Sequence, residues 1–166
     1  MFILVGLVLV VLIAGIVGVM LPSTRTVRRT VEIPASPERV WTVLLRLQDQ
    51  PAWRPDLASV TVHDTTRGKE HWTEQPRRGP SLTFRTTLLT DTTWSLAYSG
   101  PADGTWTCRL ESVATDRSQF HFEESSTVRN PYARVLARLF FDPDAFVDAY
   151  LAALERRVTA PDPSGI

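Results

Sequence analysis

The sequence predicts an α+β fold in which an antiparallel sheet packs against one long C-terminal helix, preceded by a transmembrane helix. Three stretches predict it. Met1 to Leu21 contains no charged residue and no strongly polar one. Leu57 to Val128 runs in alternating apolar and polar residues broken by turn signals. In Asp142 to Val158, the residues Phe146, Val147, Tyr150, Leu151, Leu154 and Val158 recur at steps of three and four. That spacing makes one apolar helical face, which needs a partner surface.

The 166 residues have room for one domain plus an appendage. Eighteen basic and eighteen acidic residues cancel, with no large block of like charge. The balance argues against a nucleic-acid partner, which a basic face would serve. With Cys108 as the single cysteine, an intrachain disulfide and a cysteine-based metal cluster are both excluded.

At about 1.5 Å per residue, the first 21 residues make a helix of roughly 31 Å, the thickness of a bilayer core. A cleaved signal peptide is the rival reading, but Phe2 and Ile3 supply no basic start, and Gly18-Val19-Met20-Leu21 supplies no small-x-small cleavage site. Residues 1–21 are therefore expected to be an uncleaved anchor, and residues 22–25 a short linker. Arg25, Arg28 and Arg29 follow the apolar run, so the positive-inside bias places a single-pass protein in the inner or cell membrane with its C-terminal domain in the cytoplasm.

In the domain, Thr26 to Ile33 alternates as a strand does. Ser36-Pro37-Glu38 supplies an N-cap, a proline at the first helical position and an early acid, and Val40, Trp41, Leu44 and Leu47 carry the stripe of the helix that follows. Asp49-Gln50-Pro51 and Arg54-Pro55 bracket Trp53 and leave space for only a short helical turn. The strands after Leu57 are separated at Thr66-Arg67-Gly68, Arg78-Gly79-Pro80, Thr90-Asp91, Ala102-Asp103-Gly104 and Thr115-Asp116. Asn130-Pro131 and Asp142-Pro143 open two further helices, which the pattern also allows to be one long helix broken near Phe141. Residues 159–166 read as a disordered tail.

Alternation sorts the sheet into two faces. Trp72, Leu82, Phe84, Leu88, Trp94, Leu96, Tyr98, Trp106, Cys108, Leu110, Phe120 and Phe122 fall on a dry aromatic one. Arg85, Arg109, Glu111, His121 and Glu123 fall on a wet one.

Strand, helix, short helix, six or so antiparallel strands and a long C-terminal helix is a helix-grip order. The opening Val31-Glu32-Ile33-Pro34-Ala35-Ser36-Pro37-Glu38-Arg39-Val40-Trp41, followed by Asp49, Pro51 and Trp53, resembles the polyketide cyclase/dehydrase branch of the START-like SRPBCC superfamily. The resemblance covers residues 26–158. It implies a curved sheet gripping the C-terminal helix over an apolar cavity, in a superfamily of lipid carriers, hormone and polyketide binders, and some cyclases. No catalytic residue is shared across such members, so none is transferred to this chain.

Trp72, Phe84, Trp94, Tyr98, Trp106, Cys108, Phe120 and Phe122, faced by Phe146, Tyr150 and Leu154, are the candidate lining of a hydrophobic ligand site. The bland alternative is that they only fill a core. Glu74, Thr86, Ser112 and Glu124 share the dry parity and either project into the interior or end their strands in water. In apolar surroundings Glu74 or Glu124 would have a raised pKa and could exchange a proton, with Tyr98 a further candidate. His63, His71 and His121 match no metal-ligand spacing, even with Glu70 beside them, and no metal or other cofactor is expected. Nucleophile-elbow, phosphate-loop and dinucleotide motifs are absent from the sequence.

The expected function is binding of a small hydrophobic molecule, a lipid, isoprenoid or polyketide-like compound, close to the bilayer. A cyclase or dehydratase is the alternative, and an interaction or stress-response module with a filled core is the third reading. The sequence names no protein partner.

Overall fold

The computed structural model describes residues 2–161. Helix α1 (Phe2–Met20) is long and apolar enough to cross a membrane. Strand β1 (Thr24–Ile33) then begins two residues earlier than the alternation predicts, so Thr24 and Arg25 belong to the sheet and not to a linker. Helix α2 (Pro37–Leu45), a 3-10 turn at Leu47–Asp49 and the short helix α3 (Gln50–Trp53) carry the chain across to the far edge. There β2 (Leu57–Asp64), β3 (His71–Pro76), β4 (Leu82–Leu89), β5 (Thr93–Ser99), β6 (Asp103–Ala114) and β7 (Arg117–Thr127) form a meander. Because β7 returns to pair with β1, the seven-stranded antiparallel sheet has the order β1-β7-β6-β5-β4-β3-β2. Each hairpin is local, and only the first strand reaches its place through a crossover.

Helices α4 (Pro131–Phe140) and α5 (Pro143–Thr159) are two separate elements, not one kinked rod. Asn130 and Asp142 cap them by accepting from the first backbone amides, at 2.9 and 3.2 Å and at 3.0 and 3.2 Å. The two caps restart the helix at each proline, which is why the chain turns between them. α5 includes Thr159, a residue the sequence assigns to the tail; the remainder of that expected tail beyond residue 161 lies outside the described residues.

The apolar stripe of α5 lies on the inner face of the sheet, with Val147, Leu151, Leu154 and Val158 buried and Phe146 and Tyr150 half-buried. Val40, Val43 and Leu44 of α2 close the same core from the side. This is the helix-grip arrangement the element order predicts.

One strand departs from the predicted parity. A bulge between Thr86 and Leu88 inserts an extra residue into β4, so Thr86 pairs with Leu96 but Leu89, not Leu88, pairs with Trp94. Leu89 therefore packs on the core and Leu88 is exposed. A bulge reverses the faces of every residue beyond it.

Candidate functional site

The aromatic residues form one continuous layer. Trp72 stacks on Phe84 with ring centres 5.4 Å apart, Trp94 lies 5.5 Å from Trp106, and Trp106 lies 5.5 Å from Phe122. Tyr150 of α5 covers this layer, 6.3 Å from Phe122 and 5.7 Å from Trp53. Trp72, Trp94, Phe120, Cys108 and Leu154 are buried, while Phe84, Phe146 and Tyr150 are half-buried at its margin. A cleft of about 120 Å³ beside the end of α1 and a shallow one of about 10 Å³ beside α2 both lie outside this layer. In this conformation the rings pack against one another and against Tyr150 of α5.

Polar groups interrupt the layer at two points. The first is Arg54, placed by the end of α3 and only 8% exposed. Its guanidinium donates to Gln50 at 2.8 Å, to Asp56 at 2.9 Å and to both Glu74 oxygens at 3.0 and 2.9 Å, and it lies 5.4 Å from the Tyr150 ring centre. Trp72 Nε1 donates to the same Glu74 carboxylate at 3.2 Å. Burial alone would lower the Arg54 pKa, but the Glu74 and Asp56 charges overcome it, so the group stays charged. Glu74 therefore faces inward at 5% exposure and does not end its strand in water. It is held by Arg54 and Trp72, so its lone pairs are already engaged.

The second point joins Tyr98 on β5 to Glu124 on β7. These strands are not neighbours, because β6 runs between them. The residue of β6 opposite Tyr98 is Gly104, where a Cβ would overlap both the Tyr98 ring and the Ser125 carbonyl. Glycine there lets the phenol lie across the strand and donate to Glu124 at 2.8 Å. Burial pushes the Glu124 carboxyl above the usual carboxylate range, against the opposing effects of the Tyr98 hydrogen bond and the Arg54 charge. Burial and the adjacent Glu124 charge likewise push the Tyr98 hydroxyl far up, with Ser126 opposing. A neutral Glu124 can donate a hydrogen bond or a proton to a carbonyl oxygen, while the paired Arg54 supplies a fixed positive charge nearby.

Other candidates take ordinary places. Thr86 is buried but accepts from Trp94 Nε1 at 3.0 Å, and Ser112 is exposed. Cys108 is fully buried, and burial pushes its thiol up, which makes it inert. The His63 and His71 rings lie 5.0 Å apart, while His121 faces Thr30 on the other edge; no metal-ligating group of three occurs among the described residues.

Sequence reading missed Arg54, Gln50 and Asp56 as site residues. Spacing marks Arg54 only as a helix end before Pro55, and nothing local connects it to Glu74 twenty positions later. Tyr150 also has an unforeseen feature: burial pushes its hydroxyl up, and that hydroxyl has no hydrogen-bond partner among the described residues.

Beyond Glu124, the inner face of β7 continues to Ser126. Ser126 lines the 120 Å³ cleft, together with Leu21, Pro22, Ser23, Arg25, Val128, Arg134, Ala137 and Arg138. The polar pair thus sits at the end of the sheet nearest α1, one inward step from an open cleft.

The family model described as polyketide cyclase/dehydrase and lipid transport matches residues 24–159. Among solved structures, the chain is similar to the ZhuI aromatase/cyclase from Streptomyces sp. R1128, at 18% identity and a TM-score of 0.66, over 86% of this chain and 99% of that one. Truncated norcoclaurine synthase from Thalictrum flavum is similar at 12% identity and a TM-score of 0.66, over 84% and 96%. The di-domain aromatase/cyclase BexL from the BE-7585A biosynthetic pathway matches at 13% identity and a TM-score of 0.68, over 87% of this chain and 53% of that one. These likenesses establish a shared fold. No curated protein matches the chain.

Proposed function

The chain belongs to the polyketide cyclase/dehydrase and lipid transport family, and on that premise we propose that it is a membrane-anchored binder of a small hydrophobic molecule carrying a polar end. One observation carries the reading: the inward ladder Ser126, Glu124, Phe122 and Phe120 on β7 runs from the open cleft beside α1 into the aromatic layer. A molecule entering at the cleft meets a hydroxyl, then the Tyr98–Glu124 pair, then rings roofed by Phe146 and Tyr150. The apolar body is held by the rings, and its carbonyl or hydroxyl is met by Glu124 or by the unpartnered Tyr150 hydroxyl. Because the rings pack against one another and against α5 in this conformation, entry requires the half-buried Phe146 and Tyr150 of α5 to swing aside. The ligand class supported is a lipid, isoprenoid or polyketide-like compound drawn from the adjacent bilayer, with the domain on the cytoplasmic side of the inner or cell membrane.

The test is extraction of the full-length protein purified in mild detergent, with mass spectrometry of what comes away. Wild type is expected to release an apolar compound, and Ser126→Trp, which blocks the cleft end, to release several-fold less. An empty wild-type protein that also binds nothing across a panel of lipids and polyketide-like phenols would sink the reading.

A cyclase or dehydratase is the second reading, favoured by the raised Glu124 carboxyl beside the Tyr98 hydroxyl. Here Glu124 would protonate a substrate carbonyl and Tyr98 would hold the carboxyl in place. Turnover of a bound polyketide-like compound, lost in Glu124→Gln while binding persists, would distinguish an enzyme from a carrier.

A further inference from the structure

Outside α1, exposed large hydrophobic residues are concentrated on one element. Tyr132, Leu136, Leu139 and Phe140 of α4 are 45, 57, 68 and 82% exposed, and Phe141 just beyond them is 49% exposed. Elsewhere among the described residues only Leu88 and Val113 are large, apolar and exposed. With 3.6 residues per turn, the four α4 residues share one side of the helix, while Arg134 and Arg138 take the opposite side. A helix divided in this way, with cations on its polar face, has the pattern of one that lies in a membrane surface.

The first turn of α4 is fixed at the root of α1, and its far end is tied to the start of β1. Gly18 of α1 meets the Pro131 carbonyl so closely that a Cβ there would overlap it, and a Cβ at Gly15 would lie 2.9 Å from the Tyr132 hydroxyl. Arg134 donates to the carbonyls of Gly18 at 3.1 Å and Leu21 at 3.5 Å, which are left open as α1 ends. The same guanidinium donates to Val128 at 2.7 Å and Arg129 at 3.0 Å, which locks α1 to the end of β7. At the other end Arg25 donates to the Phe141 carbonyl at 3.5 Å. Gly15 lies five residues before Met20, or about 7.5 Å into the span, which matches the roughly 5–10 Å depth to which an interfacial helix buries its apolar face.

We propose that α4 is an interfacial helix. Its apolar face is embedded in the surface layer of the bilayer that α1 spans, with Arg25 and Arg138 at the level of anionic headgroup phosphates. Charge complementarity supports the choice of lipid: both arginines line the cleft beneath α4, Arg138 is exposed, and it has no ion pair among the described residues. The inference rests on the reading of α1 as a membrane span and adds a second, lateral contact to it. Its consequence is that the cleft and the Tyr98–Glu124 end of the sheet open at the lipid surface.

The test places an environment-sensitive nitrobenzoxadiazole probe on single introduced cysteines in the full-length protein, the buried Cys108 being left in place. The variants are Phe140→Cys on α4, Val10→Cys in α1 and Glu155→Cys, an exposed site about three turns further along α5. Each is reconstituted in vesicles of phosphatidylcholine and phosphatidylglycerol whose acyl chains carry nitroxide quenchers. Quenching at Phe140→Cys several-fold above Glu155→Cys, and stronger with phosphatidylglycerol than in phosphatidylcholine alone, is the expected result. If Val10→Cys is quenched and Phe140→Cys matches Glu155→Cys, the proposal is overturned and the anchor stands. If Val10→Cys is not quenched either, the anchor reading falls and the proposal falls with it. Strong Phe140→Cys quenching that does not depend on phosphatidylglycerol keeps the embedded face and removes the role given to the arginines.

Discussion

The Glu124 carboxyl lies 2.8 Å from the Tyr98 hydroxyl and is held above its ordinary range by burial. A carboxyl whose pKa is raised by folding binds its proton more tightly in the folded chain than in the unfolded one. Its contribution to stability is present at low pH and is lost as pH rises through the folded-state value. Wild type is therefore expected to lose stability relative to Glu124→Gln as pH rises through and above the ordinary carboxylate range. Gln keeps a carbonyl to accept from Tyr98, so the comparison isolates the charge. Urea unfolding of both proteins in micelles across that range checks it, and parallel pH profiles would refute it. The sequence exposes half of this site. Parity puts Tyr98 and Glu124 on one face, but the contact between them depends on Gly104 allowing a side chain to cross an intervening strand, and alternation carries no information about that.

At the scale of elements, Arg54 ties α3 to β3 and lies against α5. Removing it leaves the Glu74 charge buried with only the Trp72 indole donating to it. Arg54→Met is expected to cost about 3–5 kcal/mol, because breaking one side of a buried pair strands the other charge. Arg54→Met with Glu74→Leu is expected to recover most of that, since replacing both charges with apolar groups is close to neutral. Denaturant midpoints of the single and double variants measure the difference. Helix boundaries were the most legible elements, because Ser36-Pro37, Asn130-Pro131 and Asp142-Pro143 carry cap and first-turn chemistry in adjacent residues. The β4 bulge was not legible, because a register shift depends on how Thr86 and Leu88 pair with another strand.

For the whole molecule, the proposed anchor carries an expectation about the side of the membrane on which the sheet stands. Arg28 pairs with Glu123, and Arg29 pairs with Asp144 and Asp148, so folding neutralises two of the three arginines behind α1. The positive-inside bias counts basic residues near the span and gives acidic ones little weight, so the expected orientation is unchanged. Protease added to sealed spheroplasts should leave the C-terminal domain intact, and degradation from outside would reverse the assignment. With the domain in the expected cytoplasmic position, Arg25 and Arg138 would stand beside the leaflet whose anionic lipids attract basic residues.

By itself, the sequence determined the elements and their order. Hydrophobic period, proline-led caps and a long uncharged run are local properties, and they specify an anchor-length helix, a meander and an amphipathic C-terminal helix. They also determined that an aromatic sheet face would meet Phe146, Tyr150 and Leu154. Only the tertiary structure decided what occupies that meeting, since ring packing, the Arg54–Glu74 pair and the approach of Tyr98 to Glu124 join residues on separate elements. It also decided that α4 leaves its apolar face uncovered beside α1. Whether an amphipathic helix finds a protein surface or is left facing outward depends on where both of its ends are tied, and here those ties are to Gly18, Leu21 and Arg25.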